Sequence, residues 1–145
     1  MKRILIILLP LILCTFVLSA QDQQEIVSKC ALDIGENTTY LKDFVIKLPK
    51  VSDSSKETPV HKANMYLMKK QNYRFTMCNA DGSEGELYVS LYDKDKLITS
   101  SFISSSGTVY SSLEFECNKT GLYQLWYSFK DGQEGRGVGI VSLVK

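Results

Sequence analysis

Residues 113–129, LEFECNKTGLYQLWYSF, constrain the fold more than any other stretch. Leu113, Phe115 and Cys117 alternate with Glu114 and Glu116. After Asn118-Lys119-Thr120-Gly121, the residues Tyr123, Leu125, Tyr127 and Phe129 alternate with Gln124, Trp126 and Ser128. A side-chain period of two places each apolar set on one face of a strand. The Asn-Lys-Thr-Gly segment predicts a tight turn with Gly121 at positive φ, so the stretch reads as a β-hairpin.

The same period recurs along the chain. Phe44, Ile46 and Leu48 share a face in the strand expected over Thr39 to Leu48, which Pro49 ends. Val51 to Lys62 reads as a polar loop. Ala63 to Met68 and Tyr73 to Met77 read as strands joined by a turn, and Asn79-Ala80-Asp81-Gly82 as a further turn. Glu86 to Tyr92 sets Leu87, Val89 and Leu91 on one face. Asp93-Lys94-Asp95-Lys96 closes a hairpin onto Leu97 to Phe102. Thr108 to Ser112 is short and strand-like, and Gly137 to Val144 is a final apolar strand. Eight to nine short strands without a helical period predict an all-β antiparallel sandwich of jelly-roll type.

The 145 residues divide unevenly. Lys2 and Arg3, the apolar run Ile4 to Leu18 and the small Ser19 and Ala20 read as a secretory signal peptide over residues 1–20, cleaved after Ala20 or after Ser19. An uncleaved anchor and a lipoprotein are the rival readings. The apolar run is shorter than the ~20 residues of a spanning helix. Leu13 before Cys14 is larger than a lipobox requires. Residues 21–36 read as a polar, irregular lead-in, and 37–145 as one sandwich domain. Without Lys2 and Arg3 the 17 basic residues become 15, against 16 acidic, so the mature charge is near −1. The basic residues are scattered, which argues against nucleic acid as a partner.

Cys30, Cys78 and Cys117 remain after cleavage, in an oxidising compartment. Three pairings are open. Cys78 with Cys117 is the favoured one, since each closes a strand just before an Asn-containing turn. The alternative is three buried thiols. Residues 73–85, YRFTMCNADGSEG, also echo residues 123–135, YQLWYSFKDGQEG. Val89-Ser90-Leu91 echoes Val141-Ser142-Leu143 with a two-residue shift. The echo predicts two similar strand–turn–strand units facing each other, or only the common chemistry of Asp-Gly turns.

Tyr73, Phe75, Leu87, Val89, Leu91, Tyr92, Asp93, Phe115, Thr120, Gly121, Tyr123 and Leu125 form a pattern over roughly Met65 to Val144 that resembles bacterial pre-peptidase C-terminal domains. The resemblance implies a small secreted sandwich that accompanies, targets or binds, and does not catalyse. Such modules often follow a protease domain, and the resemblance over these residues does not carry that role over whole. A fainter resemblance links the stretch from Thr120-Gly121-Leu122-Tyr123 to bacterial C-terminal sorting domains, without their proline-rich lead.

Catalysis needs a nucleophile beside a positioned base. The only histidine, His61, sits in the polar loop, and no serine lies in a G-x-S-x-G elbow. Glu84 and Glu86 are the carboxylates open to acid–base work, as in a small hydrolase, but flank a glycine-rich turn. Asp93 with Asp95, or Asp81 with Glu84 and Glu86, offer oxygen ligands to Ca2+, though neither set matches a known calcium loop. Charged turns that keep an edge soluble are the favoured reading of these residues. Asn37-Thr38-Thr39 and Asn118-Lys119-Thr120 fit a glycosylation sequon, which a bacterial reading makes a coincidence, with Asn118 more simply a turn residue.

The binding surface is more specific. If Tyr123, Leu125, Tyr127 and Phe129 face the core, Trp126 and Gln124 point outward, as do Tyr88 and Tyr92 from the neighbouring strand. Outward aromatics on a flat sheet suit a sugar ring or a protein partner, unless a loop covers them. The serine-rich Thr99 to Ser112 offers hydrogen bonds beside them. The expectation is an exported, non-catalytic binding or accessory module of the bacterial envelope, in the periplasm or at the cell surface. Its partner is a protein or glycan met at Trp126, Gln124, Tyr88 and Tyr92. A small hydrolase and a purely structural envelope protein are the alternatives.

Overall fold

The computed structural model describes residues 8–55 and 57–145, with side chains from Ala20 onward. The expected n-region, Lys2 and Arg3, lies outside the described residues. One helix, α1 (Leu8–Ala31), precedes ten strands: β1 (Thr38–Leu48), β2 (His61–Leu67), β3 (Asn72–Asn79), β4 (Leu87–Asp93), β5 (Lys96–Ser100), β6 (Phe102–Ile103), β7 (Thr108–Val109), β8 (Ser112–Glu116), β9 (Gly121–Phe129) and β10 (Gly135–Val144).

The strands form two antiparallel four-stranded sheets, β1-β10-β3-β8 and β2-β9-β4-β5, plus the small β6–β7 hairpin. The pairing has a simple logic. β1 pairs with β10, β2 with β9, β3 with β8 and β4 with β5, so the chain is one long ribbon folded back at the Asp93–Lys96 turn. Rolled up, it adds the contacts β10 to β3 and β4 to β9. That is the jelly roll, with ten strands in place of the expected eight to nine because the β6–β7 hairpin is added. The inward residues of both sheets meet in one core, centred on Phe75, Leu91, Leu125, Tyr127, Phe129 and Ile46.

The hairpin expected over 113–129 is instead a corner between sheets. β8 lies in one sheet and β9 in the other. Gly121 is the first residue of β9 and not among the positive-φ positions. The expected turn between Ala63 to Met68 and Tyr73 to Met77 is a second such corner, since β2 and β3 also belong to different sheets. The two corners lie side by side. Lys70 N–H donates to the Cys117 carbonyl (2.8 Å), and Cys117 N–H to the Gln71 carbonyl (2.9 Å). A corner and a hairpin share the same local signature, because both need alternation on each side of a polar break.

The internal echo has a structural counterpart. A shift of 50 residues carries Asn79 to Phe129 and Gly137 to Leu87, and it turns the β3–β10 pair Asn79↔Gly137 into the β9–β4 pair Phe129↔Leu87. It also turns the β3–β8 pair Phe75↔Leu113 into the β9–β2 pair Leu125↔Ala63. The two Asp-Gly loops bond reciprocally: Ala80 N–H to the Arg136 carbonyl (2.8 Å), and Lys130 N–H to the Glu86 carbonyl (3.0 Å). In this register Leu91 corresponds to Val141 with no two-residue shift.

The lead-in expected to be irregular, residues 21–36, is helical through Ala31. Ile26, Val27 and Ala31 in the helix, and Ile34 after it, pack on Val45, Val138 and Ile140. Those residues point outward from the sheet β1-β10-β3-β8, so the helix covers that sheet's outer face. The 26, 27, 30, 31, 34 spacing is a helical stripe. The covalent tie is Cys30–Cys78, 48 residues apart in sequence, in place of the expected Cys78–Cys117. Cys117 is a buried free thiol. The reason is strand parity. Cys78 follows Met77 and so points out of the sandwich, whereas Cys117 shares the inward face of Leu113 and Phe115. The two sulfurs lie on different faces.

Candidate functional site

With α1 over one sheet, the outer face of β2-β9-β4-β5 is the open one. Its side chains form cross-strand rows. Lys62, Trp126, Ser90 and Ser100 make one row, and Asn64, Gln124, Tyr92 and Leu97 the next. Tyr66 and Leu122 make a third. All four residues expected at the binding surface, Trp126, Gln124, Tyr88 and Tyr92, project from this face. Sequence alternation missed Lys62, Asn64, Tyr66 and Leu122, which join them through the β2–β9 pairing.

Trp126 is the centre of a packed cluster. The Tyr92 ring stacks on it with centroids 4.3 Å apart. The Lys62 ammonium stands 3.9 Å from the same ring. Lys62 comes from β2 and Tyr92 from β4, on opposite sides of β9, so the two occupy opposite faces of the indole. The indole N–H donates to Gln124 Oε1 (3.1 Å). Both faces and the donor are therefore engaged within the protein, and the tryptophan is a preorganised post, not a free stacking platform for a sugar.

Tyr88 stands apart. Its ring packs on Phe102 at 5.0 Å, beneath the start of the β6–β7 hairpin. Ser128, next to it, is buried and donates to the Pro59 carbonyl (2.7 Å), so the 52–60 loop closes that end. The free part of the face is the other end, where Tyr66 is 64%, Leu122 58% and Leu97 50% exposed. Apart from Asp93 at its corner, which pairs with Lys119 (3.3 Å), this end carries no carboxylate in its three rows.

The residues considered for chemistry do not converge. His61 opens β2, half-buried against the Tyr127 ring at 6.4 Å, and not in a solvated loop. Glu84 and Glu86 are exposed at the rim, and Glu86 pairs with Lys130 (3.7 Å). Asp81 and Glu84 share a rim groove of about 640 Å³ with Lys47 and Arg136. Asp93 and Asp95 sit at the far end of β4. Among the described residues no three His, Cys, Asp or Glu side chains gather as metal ligands. No described helix is long and apolar enough to cross a membrane.

Comparison with family models, with curated proteins and with solved structures returns no match to this chain.

Proposed function

We propose that this is an exported, non-catalytic binding module that holds a protein partner against the open face of β2-β9-β4-β5. The carrying observation is the asymmetry of the two faces. One is sealed by α1 and a disulfide. The other presents Tyr66, Leu122 and Leu97 around a rigid Lys62–Trp126–Tyr92 cluster. Exposed apolar and aromatic side chains around a preordered tryptophan are the composition of a protein-interface centre. A glycan would need a free aromatic face, and Trp126 has none.

Export is supported by Cys30–Cys78, since disulfides persist in oxidising compartments, and by the apolar leader. Cleavage after Ala20 leaves Gln21 as the mature N-terminus and keeps the docked turns around Ile26 and Cys30. The bacterial periplasm or cell surface is the compartment this reading assigns.

A photo-crosslinking residue placed at Leu122, and separately at Lys29 on the helix side, tests the reading in the intact producing cell. The outcome in its favour is a discrete protein adduct from position 122, absent from position 29 and lost with Trp126→Ala, on a chain whose N-terminus by mass spectrometry is Gln21. Equal adducts from both positions, or adducts indifferent to Trp126→Ala, would refute it.

A further inference from the structure

The open sheet has a free edge, and its polar groups can be identified. Ser101 N–H donates to the Val89 carbonyl (2.9 Å), and Val89 N–H donates to Ser101 Oγ (3.0 Å). Val89 therefore turns its backbone groups towards the β5 side and away from β9. Such groups alternate along an antiparallel strand. Tyr88, Ser90 and Tyr92 thus bond Ser128, Trp126 and Gln124, which leaves Tyr123, Leu125 and Tyr127 to bond β2. The register gives their partners as Met65, Ala63 and His61. Lys62, Asn64 and Tyr66 then direct their N–H and C=O groups out of the sheet edge. Among the described residues no hydrogen bond reaches them.

The other three edges are blunted. β1 carries a bulge at Leu41, and β5 carries one at Ile98. β8 is a five-residue strand bearing Glu114 and Glu116. Bulges, short length and charge are the usual protections of a sheet edge. β2 has seven residues in unbroken register with β9 and no proline.

A groove runs beside this edge, in the mouth between β1 and β2. It has a volume of about 430 Å³ and is lined mainly by Leu41, Met65, Tyr66, Met68, Tyr73 and Leu143. Leu41 and Met68 are 41% and 57% exposed. An added strand would lie ~4.8 Å from β2 and send alternate side chains towards the gap between the sheets. Those side chains would enter this groove, and methionines adapt to varied apolar shapes. Lys69 and Lys70, exposed beyond Leu67, place positive charge at one end of the added strand.

We propose that β2 accepts an extended peptide segment of a partner protein as a fifth strand of the open sheet. An aliphatic side chain of the segment fills the Leu41–Met65–Met68 groove, and a carboxylate of the segment lies beside Lys69 and Lys70. Main-chain bonds to Lys62, Asn64 and Tyr66 supply affinity, and the groove supplies selectivity. The inference rests on the binding-module reading and deepens it, since β2 also borders the open face.

The test is amide hydrogen exchange on the mature chain with a panel of heptapeptides. Each carries Leu, Ile, Val or Phe at alternate positions, Thr between them, and a terminal pair of Asp. At millimolar concentration at least one peptide slows exchange at Lys62, Asn64 and Tyr66 by about tenfold or more. Its N-methylated counterpart does not. Asn64→Pro deletes an outward N–H while sparing the β9 ladder, and Leu41→Lys charges the groove. Each weakens binding about threefold to tenfold, the value of a lost hydrogen bond or apolar contact. No slowing by any peptide, slowing at β1, β5 or β8 instead, or equal slowing by N-methylated peptide overturns the proposal. Protection at β2 without crosslinks from Leu122 would sink the face reading alone, and the reverse would sink the edge reading alone.

Discussion

Tyr73 and Tyr123, fifty residues apart, each pin with the phenol oxygen the sheet-to-sheet corner that precedes them. Tyr73 accepts the Met68 N–H (2.9 Å), and Tyr123 donates to the Lys119 carbonyl (2.7 Å). The Cys117 thiol donates to that same carbonyl (3.2 Å). Each corner turns the chain from one sheet to the other, so its backbone groups cannot be satisfied by a ladder and take side-chain partners instead.

Tyr73→Phe and Tyr123→Phe each remove one such bond and leave the ring in the core. Each substitution lowers stability by about 1 kcal/mol in urea unfolding, with the larger loss at Tyr73. Met68 N–H loses its partner there, whereas the Lys119 carbonyl keeps the Cys117 thiol. A larger loss at Tyr123 would contradict this account of the corners.

Peptide mapping without reductant finds Cys30 joined to Cys78, with Cys117 labelled by iodoacetamide only after unfolding. Cys30→Ser with Cys78→Ser lowers stability by about 2–4 kcal/mol, the usual range for a loop of this length. It frees α1 from the sheet while the sandwich remains folded. The check is helical signal by circular dichroism against exchange protection of Phe75 and Leu125.

Tyr127→Phe stabilises the protein. The Tyr127 hydroxyl is buried, and no partner for it is found among the described residues. Removing an unbonded buried hydroxyl while keeping the ring returns about 1 kcal/mol. Gly139→Ala has the opposite effect, because a Cβ there would overlap the Tyr127 ring. Overpacking of this kind costs about 1–3 kcal/mol. Thermal unfolding of the two variants reads both signs.

Alkaline pH weakens the fold through the same tyrosines. Burial first, and then the hydrogen bond with Cys117, push the Tyr123 phenol up from 10.0 to about 12, and burial alone raises Tyr127 further. The native state holds these protons after the unfolded chain has released them. Their stabilising contribution is complete below pH 10 and falls as pH rises towards about 12. In Tyr123→Phe the decline across that window is shallower. Phenolate absorbance of the native chain rises by fewer than its eight tyrosines before unfolding.

Much of the open face was legible in the chain because parity along a strand is a local property. Alternation alone places Trp126, Gln124, Tyr88 and Tyr92 outward, and the structure projects them so. What alternation cannot give is the neighbour across the strand. Lys62, Asn64 and Tyr66 joined the face only through pairing with β9. Pairing also closed both faces of Trp126, which left no indole surface for a sugar. Two further signals are present in the sequence. The 26, 27, 30, 31, 34 stripe marks the docked end of α1. The opposed parities of Cys78 and Cys117 argue against their pairing.

The sequence by itself determined where most strands lie, which side chains face inward, and that eight to nine short elements pack as a sandwich, because those follow from a two-residue period and from local turn chemistry. Only the tertiary structure decided that 113–129 crosses between sheets, that α1 covers one face, that Cys30 reaches Cys78 and that β2 is left as an open edge. Each of these depends on contacts between residues far apart in the chain, where a polar break looks the same whether the next strand returns beside the first or crosses to the opposite sheet.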